Sequence, residues 1–175
     1  MTHPLQIHSV QPEDIPQVLD FVMAAREVMF PKLHDAPMPV DLAEFERVYV
    51  EGAGCFLIAR EQGRIVGAIG YLPYDRRFPD LDYPGLAVVE VVRLFVLPEY
   101  RRAGLARALY AALQDAAHAA GVQVMYLHTH PFLAGAVEFW QRQGFEVVRV
   151  DPDPQWQTTH MQASVAAADR LRWPV

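Results

Sequence analysis

Residues 88–106 read VVEVVRLFVLPEYRRAGLA, and this stretch decides the fold. Val88 to Leu97 is rich in β-branched residues, is long enough for a buried strand, and is stopped by Pro98. Beyond it, Leu105, Ala108, Leu109, Ala112, Leu113 and Ala116 recur at helical spacing, and Gly121 suits a C-terminal cap. Val122 to Thr129 reads as the next strand. A strand, a helix and a strand in this order form a βαβ unit, normally with parallel strands and a right-handed crossover.

The junction carries the chemistry. Arg101 and Arg102 stand where the helix is expected to begin. A helix N-terminus carries roughly +0.5 of an elementary charge, so cations there are unfavourable. A bound anion resolves the conflict, since Gly104 permits close approach to the backbone and helix-start N–H groups point outward. The pattern suits a pyrophosphate cradle. It is equally compatible with arginines that reach solvent, with Glu99 compensating. Two common nucleotide loops are excluded. There is no GxxxxGK[ST], and no GxGxxG followed by a ribose-binding acid.

Arg101-x-x-Gly104-x-Ala106 resembles the [Q/R]-x-x-G-x-[G/A] loop of the GNAT N-acetyltransferase superfamily, which holds the pyrophosphate of acetyl-coenzyme A. A second block, AVEFWQRQGF with Ala136, Trp140, Gly144 and Phe145, is similar to the family's A-x-x-x-Y-x-x-x-G-F. Both lie within residues 88–150; the first 87 residues fit the family in element order only. The resemblance implies an α/β fold with a mixed, mainly antiparallel sheet, splayed central strands and helices on both faces. It implies acetyl-coenzyme A as co-substrate, bound by Leu94, Phe95 and Val96 on the splayed strand, by Arg101, Arg102, Ala103, Gly104, Leu105 and Ala106 in the loop, and by Trp140. Its strand N–H groups around Leu94 to Val96 would face the thioester oxygen. Direct attack by a primary amine of a small molecule or peptide needs no protein nucleophile, only a route for the amine proton.

Glu90 is the candidate catalytic base. It stands among valines, where burial would raise its pKa toward a useful range. It also lies eleven residues before Arg101, a spacing similar to that of the base glutamate in some family members. The alternative is a structural pairing or a solvent-facing position. Strand alternation places Arg93 on the opposite face, with a structural partner of its own.

The sequence departs from the family pattern at two places. Trp140 replaces the tyrosine that often protonates the thiolate, and Leu133 replaces a common asparagine. Indole cannot act as an acid, so Trp140 is expected to pack in the cleft. A module that binds coenzyme A without catalysis is therefore the alternative function. His128 and His130 share a strand face but lack a third ligand of evident spacing, so no metal is expected. The acceptor surroundings implied by the resemblance carry Phe30, Lys32, His34, Tyr74, Asp75, Asp80, Asp82, Tyr83, Trp156 and His160, and aromatics with acids suit an amine.

Composition agrees with a single domain over residues 1–175, with 52% hydrophobic and 21% charged residues. A net charge of −6 argues against nucleic acid. No apolar run approaches the ~20 residues of a membrane span, and the first ten residues lack the basic and apolar regions of a signal peptide. A cytoplasmic enzyme without membrane contact is expected, compatible with a homodimer. Cys55, the lone cysteine, lies in the apolar run CFLIA and is expected to be a small buried hydrophobe.

Outside the βαβ unit, Leu5 to Val10 reads as a strand. A helix follows from Pro12-Glu13-Asp14 to about Met29, and a second through Val50 with Asp41 as its cap and Glu44 completing a capping box. Cys55 to Glu61 and Ile65 to Tyr71 form a hairpin about Gln62-Gly63. Leu133 to Gln143 is the last helix, and Phe145 to Val150 with Trp156 to Val165 the closing strand pair.

Overall fold

The structure is a computed structural model and describes residues 4–165. Its elements are β1 (Gln6–Ser9), α1 (Ile15–Met29), α2 (Val40–Ala43), β2 (Cys55–Glu61), β3 (Arg64–Pro73), β4 (Val88–Val96), α3 (Leu105–Ala119), β5 (Val124–Thr129), α4 (Ala136–Arg142), β6 (Glu146–Val150) and β7 (Thr159–Ser164). The order matches the expected one element for element. The strands form a mixed, mainly antiparallel sheet ordered β1-β2-β3-β4-β5-β7-β6. The parallel pairing of β4 with β5 runs from Val88↔Val124 to Glu90↔Tyr126 and ends there.

The chain divides into two compact units, residues 4–72 with 92–113 and residues 73–91 with 114–165. In the first, β1, β2 and β3 form an antiparallel meander. Its core gathers Val18 and Val22 of α1, Leu42 of α2, and the rings of Phe45, Tyr49 and Phe56, whose centroids lie 4.8 to 5.0 Å apart. Helix α3 buries Leu105, Leu109 and Leu113 at a spacing of four. Gly67 on β3 lets it come close, because a Cβ there would stand 2.9 Å from Cδ1 of Leu109.

Two local expectations for this unit are corrected. Asp41 does not cap the second helix. The residue ahead of α2 is Pro39, without a side-chain cap, and α2 is only four residues long before a π-helical turn at Glu46–Val50. The Asp41 carboxylate instead accepts hydrogen bonds from Tyr49 Oη at 2.7 Å and Arg93 Nη2 at 2.8 Å. A part-buried guanidinium requires a paired anion far more than an exposed helix start requires a cap. Arg93 thus has the structural partner expected of it. Its φ of +61° breaks the regular course of β4, a conformation that costs a side-chain-bearing residue about 1–2 kcal/mol. The second correction concerns α3, which starts at Leu105, so Arg101 and Arg102 precede its first turn. The expected clash with the helix dipole is relieved by a turn at Arg102, φ +64°, and Gly104, φ +82°.

In the second unit, β5 and β7 pair from Val124↔Ser164 to Thr129↔Thr159, and β6 flanks β7. Tyr74, Leu81, Tyr83 and Tyr126 form its aromatic core, with Phe78 packed against them. Helix α4 begins three residues later than expected, at Ala136. It ends where Gly144, φ +97°, lets Phe145 N donate to Trp140 O at 3.0 Å, a bond that closes the helix at its last carbonyls. Among the described residues, no helix is long and apolar enough to cross a membrane.

Candidate active-site residues

In the first unit, the loop between β4 and α3 is exposed from Arg101 to Gly104. Gly104 O accepts the first helical bond, from Ala108 N at 3.0 Å, so the N–H groups of the first turn lack intrahelical acceptors. A Cβ built on Gly104 would meet nothing within 4 Å. Glycine is therefore favoured there by its positive φ, and the space beside it is open. Arg101 is spent partly on the protein itself. Its Nε donates to Val96 O at 3.0 Å, and its guanidinium lies 5.4 Å from the centre of the Phe95 ring. Phe95 and Val96 are buried and Leu94 is half-buried. This unit thus gathers Leu94 to Val96 and Arg101 to Ala106, the segments expected to hold the co-substrate.

The second unit holds Glu90 and Trp140. Trp140 is buried, edge-on to Phe139 at 4.9 Å and Phe145 at 5.2 Å, as a packing residue would be. Glu90 is 5% exposed. Arg77 grips it in bidentate fashion, Nη1 to Oε2 and Nη2 to Oε1, both at 2.8 Å. Nδ1 of His128 lies 3.2 Å from Oε1. Arg77 also donates to Asp75 and stacks over Phe78. Burial alone would raise the Glu90 pKa, which was the expectation. The hydrogen bonds from Arg77 and His128 outweigh it and bring the pKa down to about 2. Glu90 is ionised at any pH near neutrality and is a weak base by itself.

Sheet register explains the company Glu90 keeps. Glu90 stands opposite Tyr126 across the parallel pair, and His128 opposite His160 across the antiparallel one. Tyr126 and His128 are two apart and so share a face of β5, and His130 follows just beyond its end. Tyr126 Oη and His160 Nδ1 are 2.6 Å apart in the buried interior. The other nitrogen of His160 lies 3.2 Å from Asp151 and 3.0 Å from Arg149. Burial holds the pKa of both His130 and His160 below the usual histidine value, so both are neutral at pH 7. Among the described residues, no group of three or more His, Cys, Asp or Glu is placed to hold a metal ion.

The expected amine-binding acids are already occupied. Asp75 pairs with Arg77, Asp82 with Arg76, and Asp80 with Arg149. Tyr74 donates to Leu81 O at 2.9 Å within the core, and His160 is fully buried. Arg76 and Arg77 lie in the same loop as Asp75 and Asp82, whereas Arg149 reaches Asp80 from 69 residues away. Arg77 itself carried no signal in the sequence. His128 did, because a β5 residue two positions beyond the partner of Glu90 falls on the same face.

A family model described as Acetyltransferase (GNAT) family matches residues 19–145. N-acetyltransferase 8 of Homo sapiens is 30% identical over 113 residues, covering 64% of this chain and 48% of that protein. The chain spans about half the length of several of the curated relatives it matches. A GNAT-family acetyltransferase structure from Staphylococcus aureus Mu50 superposes with a TM-score of 0.72 at 17% identity, covering 93% of this chain and 99% of that one. An aminoglycoside 6'-N-acetyltransferase complexed with coenzyme A superposes with a TM-score of 0.68 at 18% identity, covering 91% of this chain and 97% of that one. At these identities the structural likeness concerns the fold.

Proposed function

We propose the following activity for this chain, which belongs to the acetyltransferase (GNAT) family: it transfers the acetyl group of acetyl-coenzyme A directly to a primary amine of a small molecule or peptide, working as one domain. The observation that carries this reading is the loop at Arg101 to Ala106, an exposed helix start with open space at a positive-φ glycine. A pyrophosphate on that loop would accept hydrogen bonds from N–H groups that have no helical partner, in the favourable field of the helix dipole. Arg102 would add charge, and Arg101 shapes the loop by tying itself to Val96. Leu94, Phe95, Val96, Ala103, Leu105 and Ala106, all of the same unit, would complete the co-substrate's surroundings there.

The amine must be neutral to attack the thioester carbon, so a proton has to leave it. Glu90 supports that step through an intervening group rather than by direct contact, because it is buried and Arg77 holds both of its oxygens. The departing thiolate is a fair leaving group, since a thiol of this kind has a pKa on the order of 8.5. An indole at Trp140 is therefore no obstacle to catalysis.

Incubation of the protein with acetyl-coenzyme A and a panel of primary amines, followed by mass spectrometry, tests this function. An acetylated product with stoichiometric free thiol is the expected result. Tight binding of acetyl-coenzyme A by calorimetry with no amine acetylated would support a coenzyme A-binding module instead. Preference for ATP or NAD over coenzyme A would overturn both readings.

A further inference from the structure

His128 is placed to do what Glu90 cannot. Its Nδ1 faces the Glu90 carboxylate at 3.2 Å, and an ionised carboxylate can only accept a hydrogen bond. The carboxylate favours the hydrogen on Nδ1, and in that neutral tautomer the lone pair lies on Nε2. The His128 side chain is 34% exposed, whereas that of Glu90 is 6% exposed. Among the described residues no hydrogen bond engages Nε2 of His128, so that nitrogen remains available to a substrate.

We propose that Nε2 of His128 is the proton acceptor of the acetyl transfer, and that Glu90 is a positioning residue that fixes the tautomer while Arg77 fixes Glu90. This assignment rests on the acetyl-transfer reading above. In the step, the amine lone pair forms the N–C bond at the thioester carbon. A proton of the attacking nitrogen passes to Nε2. The C–S bond breaks with its electron pair on sulfur. The imidazolium, held against Glu90, then returns its proton to the thiolate or to solvent. The attraction of the Glu90 carboxylate strengthens as the ring becomes positive.

The charged and titratable surroundings of His128 allow this. Glu90 faces it from β4, with Arg77 and Asp75 behind. Tyr126 on β5 and His130 just beyond its end flank it with ring centroids at 6.3 and 6.0 Å, and His160 faces it from β7 at 6.2 Å. His130 donates Nδ1–H to Trp156 O. Burial keeps both neighbouring imidazoles neutral, so neither opposes the charge that His128 acquires, and the Arg77 guanidinium that shares Glu90 Oε1 with it is offset by Glu90 and Asp75.

Two measurements on the full chain decide the matter. Long-range proton–nitrogen NMR on protein labelled with 15N-histidine reads the tautomer directly. The expected result is Nδ1–H for His128 in the native protein, with the preference weakened in Glu90→Gln. An Nε2–H tautomer in the native protein would overturn the assignment. The second measurement uses acetyl-coenzyme A and whichever primary amine of the panel turns over fastest. His128→Ala should lose roughly 10²–10⁴-fold in turnover at pH 7, keep its acetyl-coenzyme A affinity, and regain activity with added imidazole. Native-like turnover in His128→Ala overturns the base assignment alone. Failure of the native protein to acetylate any amine overturns the parent function, and the base assignment falls with it.

Discussion

Replacement of Arg77 by methionine isolates the ion pair on which Glu90 depends. Methionine keeps much of the apolar stem and removes the guanidinium that lies over Phe78. In the folded protein the Glu90 pKa drops from 4.5 to about 2. That fall corresponds to roughly 3 kcal/mol. Part of it belongs to His128, and Arg77 is 38% exposed and screened by water, so its share is closer to about 2 kcal/mol. A depressed carboxylate pKa stabilises the fold above its unfolded value, and the benefit is lost as pH falls from about 4.5 through about 2. Arg77→Met is therefore expected to cost about 2 kcal/mol at pH 7.5 and less than half of that at pH 2, where Glu90 is half protonated even in the native protein. Urea unfolding followed by circular dichroism at the two pH values checks this. Adding Glu90→Gln to Arg77→Met should recover more than half of the loss at pH 7.5, because no buried charge then stands uncompensated. A loss that is equal at both pH values, or that Glu90→Gln does not relieve, would refute the reasoning.

Three other outcomes follow from the geometry. Gly104→Glu places a negative charge in the open space of the loop and should abolish acetyl-coenzyme A binding by calorimetry, while Gly104→Asn, which tolerates positive φ, should retain most of it. Trp140→Phe should lower stability by about 1–2 kcal/mol through lost contact with Phe139 and Phe145, and should leave the shape of the pH–rate profile unchanged. Burial lowers the His130 and His160 pKa values, so the folded state takes up fewer protons than the unfolded one as pH drops through about 6.5. Stability should thus decline between pH 7 and pH 5, and a slope unchanged in His160→Gln would show that His160 contributes nothing to it.

The local patterns of the chain determined its elements. Val88 to Val96 could only be a strand, with β-branched residues throughout and a proline after it. Leu105, Leu109 and Leu113 could only face a core from a helix. Gly104, the Trp140 block and the element order carried the family, since each depends on neighbours within a few positions. What the sequence could not determine was pairing between distant side chains. Asp41 has the form of a helix cap, but Arg93, 52 residues away, claims it once the strand and helix meet. Glu90 among valines has the form of a carboxylate with a raised pKa, yet Arg77 arrives from a loop without regular spacing and reverses the sign of the shift. Asp80 has the form of a loop acid suited to an amine, but Arg149, 69 residues away, pairs with it. Hydrophobic period and backbone preference act over a few residues and are written in order along the chain. A buried charge must find its partner wherever the fold brings one, and only tertiary structure decides which residue that is.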